Sequence, residues 1–298
     1  MTRAGPHRPS RAGHRAVRPG VRARPLSPAG LVSHLVPRVL DVRPPLLTTV
    51  AGALAGGAVL SQVAHPLLRG ERLRRTTIGS VLAFSAASVV DAARRGGTRS
   101  ALTTLTVAGG LGLVAEAVGT RTGRPFGRYR YAGTLGPQVL DVPVVVPLAW
   151  TMLAHPSVRL GRHLAAGLPR RTRGVATVAT AAWTLAAWDL FLDPQMTAAG
   201  HWSFEHPRPH LPGVPGIPLS NYAGWLLTAG VICAGLHAAL PPDRDEPQTV
   251  PAALLGWTWL GSALGNAVFF RRPVVAAYGG VAMGLTVFPY LRSLARGR

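Results

Sequence analysis

Residues 101–119 read ALTTLTVAGGLGLVAEAVG, an apolar stretch with a single charged side chain, Glu116. A run of about 17–25 apolar residues is long enough to cross a hydrocarbon core as a helix. Its small residues (Gly109, Gly110, Gly112, Gly119) suit helices that must approach closely in lipid, where no hydrophobic force draws them together. The pattern recurs along the chain, at about 45–64, 76–93, 139–154, 174–192, 221–240, 249–270 and 273–291. The expected fold class is therefore all-α, a polytopic transmembrane helical bundle of about eight spans. The second and fourth runs are short, and seven spans with one re-entrant segment is the alternative.

Composition agrees. The 298 residues are 48% hydrophobic and 14% charged, and mean hydropathy is positive. The net charge of +21 would point to nucleic acid in another chain. Here every basic residue is arginine, as a GC-rich coding sequence produces, and the arginines fall mostly in the N-terminal tail and between apolar runs. No nucleic-acid motif accompanies them, so no nucleic-acid partner is expected. Residues 1–43 are rich in Arg, Pro, Gly and Ser without apolar periodicity and read as a disordered basic tail, leaving 44–298 as the transmembrane helical domain. The tail has no apolar core of a secretory signal. The single cysteine, Cys233, lies in an apolar run and reads as a small buried hydrophobe; it excludes an intramolecular disulfide or a multi-cysteine zinc site.

With the tail in the cytoplasm, the arginine-rich stretch 155–174 and the C-terminal arginines also fall inside, as the positive-inside rule asks. The loops at 67–76 and 121–130 break that rule. Whatever the sidedness, the loops after the third and fifth of eight spans share one face. Glu116 near the end of span three, Asp141 at the start of span four, Asp189 and Asp193 at the end of span five, and Asn221 at the start of span six all gather there.

Glu116 sits one turn inside its run, where a charged carboxylate is costly and usually faces a bundle interior. Burial favours the protonated form, which is the property of an acid; the structural alternative is an interhelical hydrogen bond. Asp189 and Asp193, in WDLFLDPQM (188–196), are four apart and share a helix face. Repulsion between them would keep a proton on one and leave the other able to orient a water. Asp193 also precedes Pro194 and reads equally well as a helix end. The loop TGRPFGRYRYAGTLG (122–136) sets Phe126, Tyr129 and Tyr131 among arginines, either as an interfacial aromatic belt or as a lid over a site. The long loop 201–225 holds His201, His206 and His210, but its prolines disfavour the helix that would align them, and no metal site is expected. There is no P-loop, dinucleotide fingerprint, nucleophile elbow or aspartate-rich diphosphate box.

Four motifs, GRPFGRYRYAGTLG, DVPVVVPLAW (141–150), WDLFLDPQM and IPLSNYAGW (217–225), stand in the order and spacing of the carotenoid-biosynthesis membrane hydratases, which the chain resembles over about residues 45–291. The resemblance implies a cofactor-independent hydro-lyase in a bacterial cell membrane. Its substrate would be an acyclic-ended carotenoid within the bilayer, and water would add across the terminal 1,2 double bond to give a tertiary alcohol. Such chemistry needs a desolvated acid, a held water and a wall that tolerates positive charge. Glu116, Asp189 and Asp193, with Tyr129 and Tyr131, are the candidate catalytic residues. Phe126, Arg128, Trp150, Trp202, Asn221 and Trp225 are the candidate substrate-binding residues, the aromatics offering electron-rich faces to a cation. Other membrane enzymes of the pathway are expected as partners. Rival readings are an end-group cyclase, in which an internal double bond captures the cation, and a transporter or carotenoid-binding protein.

Overall fold

Hydrocarbon offers the backbone no hydrogen-bond partners, so a chain of long apolar runs folds as helices. The computed structural model describes residues 1, 2, 5, 44–243 and 247–297; the expected basic tail lies almost wholly outside them. The α-helices are Pro44–Ala64 (α1), Gly70–Thr104 (α2), Leu111–Thr122 (α3), Val145–Leu164 (α4), Arg170–Ala187 (α5), Asp189–Ala198 (α6), Leu219–Ala239 (α7), Thr249–Leu264 (α8) and Pro273–Ala295 (α9). A π turn, Leu105–Gly110, joins α2 to α3, so that Gly70–Thr122 runs on as one helical stretch. Among the described residues, that stretch, the stretch Arg170–Ala198 made by α5 and α6, and the helices α1, α7 and α9 give five that are long and apolar enough to cross a membrane. Their outward faces carry large exposed hydrophobics such as Leu60, Val114, Val175, Val281 and Leu285, a surface suited to lipid rather than water.

Gly70–Thr122 would be about 80 Å long if straight, more than twice the thickness of a hydrocarbon core. It is not straight. Gly96 and Gly97 leave helical geometry, Gly97 with φ of 66°, a conformation that glycine adopts without steric cost. The Ser88 hydroxyl donates to the Thr151 carbonyl on one side of this break, and Gly109 lies against the Thr151 hydroxyl on the other. Two positions 21 residues apart can meet one residue of α4 only if the chain reverses between them. The second and third apolar runs are thus separate passes.

α4 runs through the middle of the bundle, and every residue from Trp150 to Gly161 is buried. Two expectations about this region are corrected. The fourth run was placed at 139–154, but Gln138–Val139 (β2) and Val142–Pro143 (β3) form a tight hairpin instead. Its turn residues, Leu140 and Asp141, have φ of 55° and 67°. The helix then continues ten residues past the expected end, because His155, Arg159, Arg162 and His163 find partners within the protein. His155 Nε2 meets Asp91 at 3.1 Å, and the buried Arg159 pairs with Asp243. Asp91 also accepts from Arg94 and Arg95, at 3.2 and 2.9 Å. Arg162 donates to the carbonyls of His237 and Leu240, closing the C-terminal end of α7.

Of the two readings of Asp193, the helix end does not hold: Pro194 lies inside α6, which runs on to Ala198. A second small ladder, also unexpected, ties the two long loops together. Tyr129–Tyr131 (β1) pairs antiparallel with Trp202–Phe204 (β4), Tyr131 opposite Trp202. This ladder holds the loops after the third and fifth passes on one end of the bundle.

Candidate active site

α3 brings Glu116 to that end. On the same helix face Gly112 and Gly119 flank it by four and three residues. A Cβ on Gly112 would lie 2.7 Å from the Trp150 ring, and one on Gly119 would lie 2.8 Å from Phe126 and 3.0 Å from the Tyr129 hydroxyl. The two glycines therefore let Trp150 and Tyr129 close over the carboxyl. Trp150 Nε1 donates to Glu116 Oε1 at 3.0 Å, Tyr131 donates to Oε2 at 2.8 Å, and the Tyr129 hydroxyl donates to the same Oε2. Burial first, then the adjacent Glu116 carboxyl, hold both phenols well above their ordinary pKa, so they remain protonated donors.

Alternation along β1 explains which side chains reach the site. Tyr129 and Tyr131 point one way, while Arg128, just before the strand, and Arg130 are exposed. Arg130 pairs instead with Glu205 across the ladder, at 2.7 Å. Arg128 is thus not brought to the site with the other candidates. Asp141 is not either: its side chain is 77% exposed in the hairpin turn, 4.0 Å from Arg121.

α6 supplies the second half. Asp189 and Asp193, one turn apart, are both buried, and one amide holds them. Asn221 Nδ2 donates to Asp189 Oδ2 at 2.7 Å and to Asp193 Oδ2. One NH2 group has two hydrogens, so the amide of α7 bridges the pair without supplying charge. Among the described residues no donor faces the buried Asp189 Oδ1. Among the described residues none of Glu116, Asp189 and Asp193 makes an ion pair; the groups that donate to them are phenols, an indole and an amide.

These groups enclose a cavity of about 70 Å³, reached by Glu116, Asp193, Tyr129, Tyr131 and Asn221. Its remaining wall is apolar and aromatic. Trp150 and Trp225 stack with ring centroids 4.0 Å apart, and Trp188 meets Trp225 edge-on at 5.9 Å. Phe126 and Trp202 also line it. Asp189 stands behind Asp193 rather than on the cavity surface. Trp188, Met196 and Phe204 line the cavity but were not among the sequence candidates. Trp188 and Met196 were detectable, since Trp188, Leu192 and Met196 fall at i, i+4 and i+8 on the face next to Asp193. Of the loop histidines, His201 bonds Thr134 at 2.7 Å, His210 bonds the Leu211 carbonyl at 3.0 Å, and His206 is exposed.

No solved structure matches the chain. A bisanhydrobacterioruberin hydratase from Haloarcula japonica is 38% identical over 134 residues, which cover 41% of this chain and 42% of that relative. The alignment thus spans under half the length of the relative. The family model described as "Carotenoid biosynthesis protein" matches residues 76–287, well over half of the chain and the whole of the site built above. The chain belongs to the family of carotenoid biosynthesis proteins.

Proposed function

We propose that the protein is a hydro-lyase that adds water to the terminal 1,2 double bond of an acyclic carotenoid end within the bilayer. The observation that carries this reading is the cavity in which Glu116 and Asp193 meet an aromatic wall, with no ion pair to neutralise them among the described residues. The hydratase name of the Haloarcula japonica relative supports the same reaction class.

In this reading the Asp189–Asp193 pair shares a proton, because two buried carboxylates in contact disfavour a second negative charge. Asp193, on the cavity surface, passes the proton to the second carbon of the alkene. The π electron pair forms the new C–H bond, and the first carbon becomes a tertiary cation. Glu116 acts in this reading as the carboxylate, its two oxygens met by the donors of two phenols and an indole. It faces the cation and orients a water, whose oxygen bonds to the cationic carbon and whose proton passes to Glu116. Transfer of that proton through the cavity to the aspartate pair restores the starting state. The stacked indoles of Trp150 and Trp225 stabilise the cation through their electron-rich faces, an interaction worth about 2 kcal/mol when desolvated. The reaction consumes only water.

Expression in a host that accumulates lycopene tests the proposal. Pigments heavier by one water support it. Cyclised pigments of unchanged mass would instead identify an end-group cyclase, and unaltered pigments with protein present in the membrane would refute both.

A further inference from the structure

The acid cavity is small, about 70 Å³, with space on the order of a few waters. An alkene end and one water fill it, and the rest of a long polyene must lie elsewhere. A second cavity of about 350 Å³ adjoins it, and the two share Thr77, Val81, Trp188, Leu192 and Met196 as common wall. From that wall the larger cavity runs between α1, α2, α6 and α8, past Gln62, Met152, Trp257 and Ser262. Its outer rim is Val63, Leu264 and Phe269, each more than half exposed. Large apolar side chains exposed at a rim are costly in water and unremarkable in lipid.

Resting on the hydratase reading, we propose that this groove is the binding site for the polyene chain and the lateral entrance by which the substrate end reaches the acids from the bilayer. The occupant follows from continuity: the shared wall carries Trp188, Leu192 and Met196, at and along α6 on the face next to the proposed proton donor Asp193. The groove's surface is mostly apolar and aromatic, and polar side chains along it pair within the protein: Gln62 with Trp257, His65 with Thr77, and Ser80 with Ser61 and the Thr76 carbonyl, which fits a hydrocarbon chain with no headgroup. Trp257 has its one donor committed, at 2.6 Å, to Gln62 Oε1, so the groove presents its ring rather than its N–H. The groove leads to one acid cavity, and a substrate with two reactive ends must leave and re-enter for the second hydration.

The test is Ser262→Trp, which fills the groove away from the carboxyls. Membranes carrying each protein are given lycopene and, separately, myrcene, a short isoprenoid with the same alkene end. The groove predicts that the preference for the long over the short substrate falls by roughly tenfold, the factor that about 1.4 kcal/mol of lost contact produces. Val281→Trp, which puts an indole on an exposed face of α9 outside the groove, leaves that preference unchanged. If Ser262→Trp preserves the preference, whether both activities stand or both fall together, the groove is not the polyene site. If the native protein hydrates neither compound, the hydratase reading fails separately, and lycopene retained per purified protein becomes the readout. Lower retention by Ser262→Trp than by the native chain then still supports the groove, and equal retention overturns it.

Discussion

The two ends of α4 bury carboxyls in opposite ways. Towards its C-terminal end, Asp91 is answered by Arg94, Arg95 and His155, and Arg159 by Asp243. Towards its N-terminal end, Trp150 reaches into a site holding Glu116, Asp189 and Asp193, where the phenols, indole and amide that donate to them are all neutral. Both ends hold comparably buried acids, so burial alone does not mark a site. The difference lies in how the charge is met. A carboxyl answered by guanidinium groups is fixed as an anion and ties helices together. Carboxyls held by phenols, an indole and an amide keep their hydrogen-bond geometry in either protonation state, as a group that gives and takes a proton must.

Replacing residues at the two ends separates these roles. The largest effect is expected from Asp193→Asn or Glu116→Gln, each lowering hydration by about a hundredfold or more, the usual contribution of a positioned acid or base. Pigment analysis against membrane protein content reads this, and full activity in both variants would remove the proposed acids. At the other end, Asp91→Asn takes the countercharge from a buried cluster and is expected to cost about 3–5 kcal/mol of stability. Thermal unfolding in detergent should show the loss, while hydration per folded molecule stays at the native level. A drop in hydration without a drop in stability would reverse the two assignments.

Smaller changes sharpen the comparison inside the site. Gly112→Ala places a Cβ 2.7 Å from the Trp150 ring and is expected to cost about 1–3 kcal/mol through overpacking. It should also tilt the indole off Glu116 and reduce product. Gly230→Ala, with nothing near its added carbon, should do neither. Tyr131→Phe removes one of two phenols on Glu116 Oε2, and hydration should fall by roughly tenfold, equivalent to about 1.4 kcal/mol. Unchanged kinetics would confine the phenol to a structural part.

Much of the bundle was legible because run length against bilayer thickness is a strong constraint, and the Gly96–Gly97 break keeps the second and third runs apart as separate passes. α4 was misplaced for two physical reasons. Hydropathy counts His155 and Arg159 as loop residues, since it cannot see that Asp91 and Asp243 answer them inside the bundle. Nor does it reveal the turn at Leu140 and Asp141, where non-glycine residues adopt positive φ. In the site, Glu116 and Asp189 stood out as carboxyls in apolar surroundings, and the ordering of the motif loops placed them together. The β1–β4 ladder was not legible, because three-residue strands carry almost no periodicity. Its alternation separates Tyr129 and Tyr131 from Arg128.

Isotope labelling tests the central claim most directly. Membranes containing the protein are incubated with lycopene in water enriched in oxygen-18 and, separately, in deuterium oxide. The account predicts a product with one labelled oxygen on the terminal tertiary carbon and one deuterium on the neighbouring carbon, absent with Asp193→Asn. Product without label, or label incorporated equally by that variant, would contradict it.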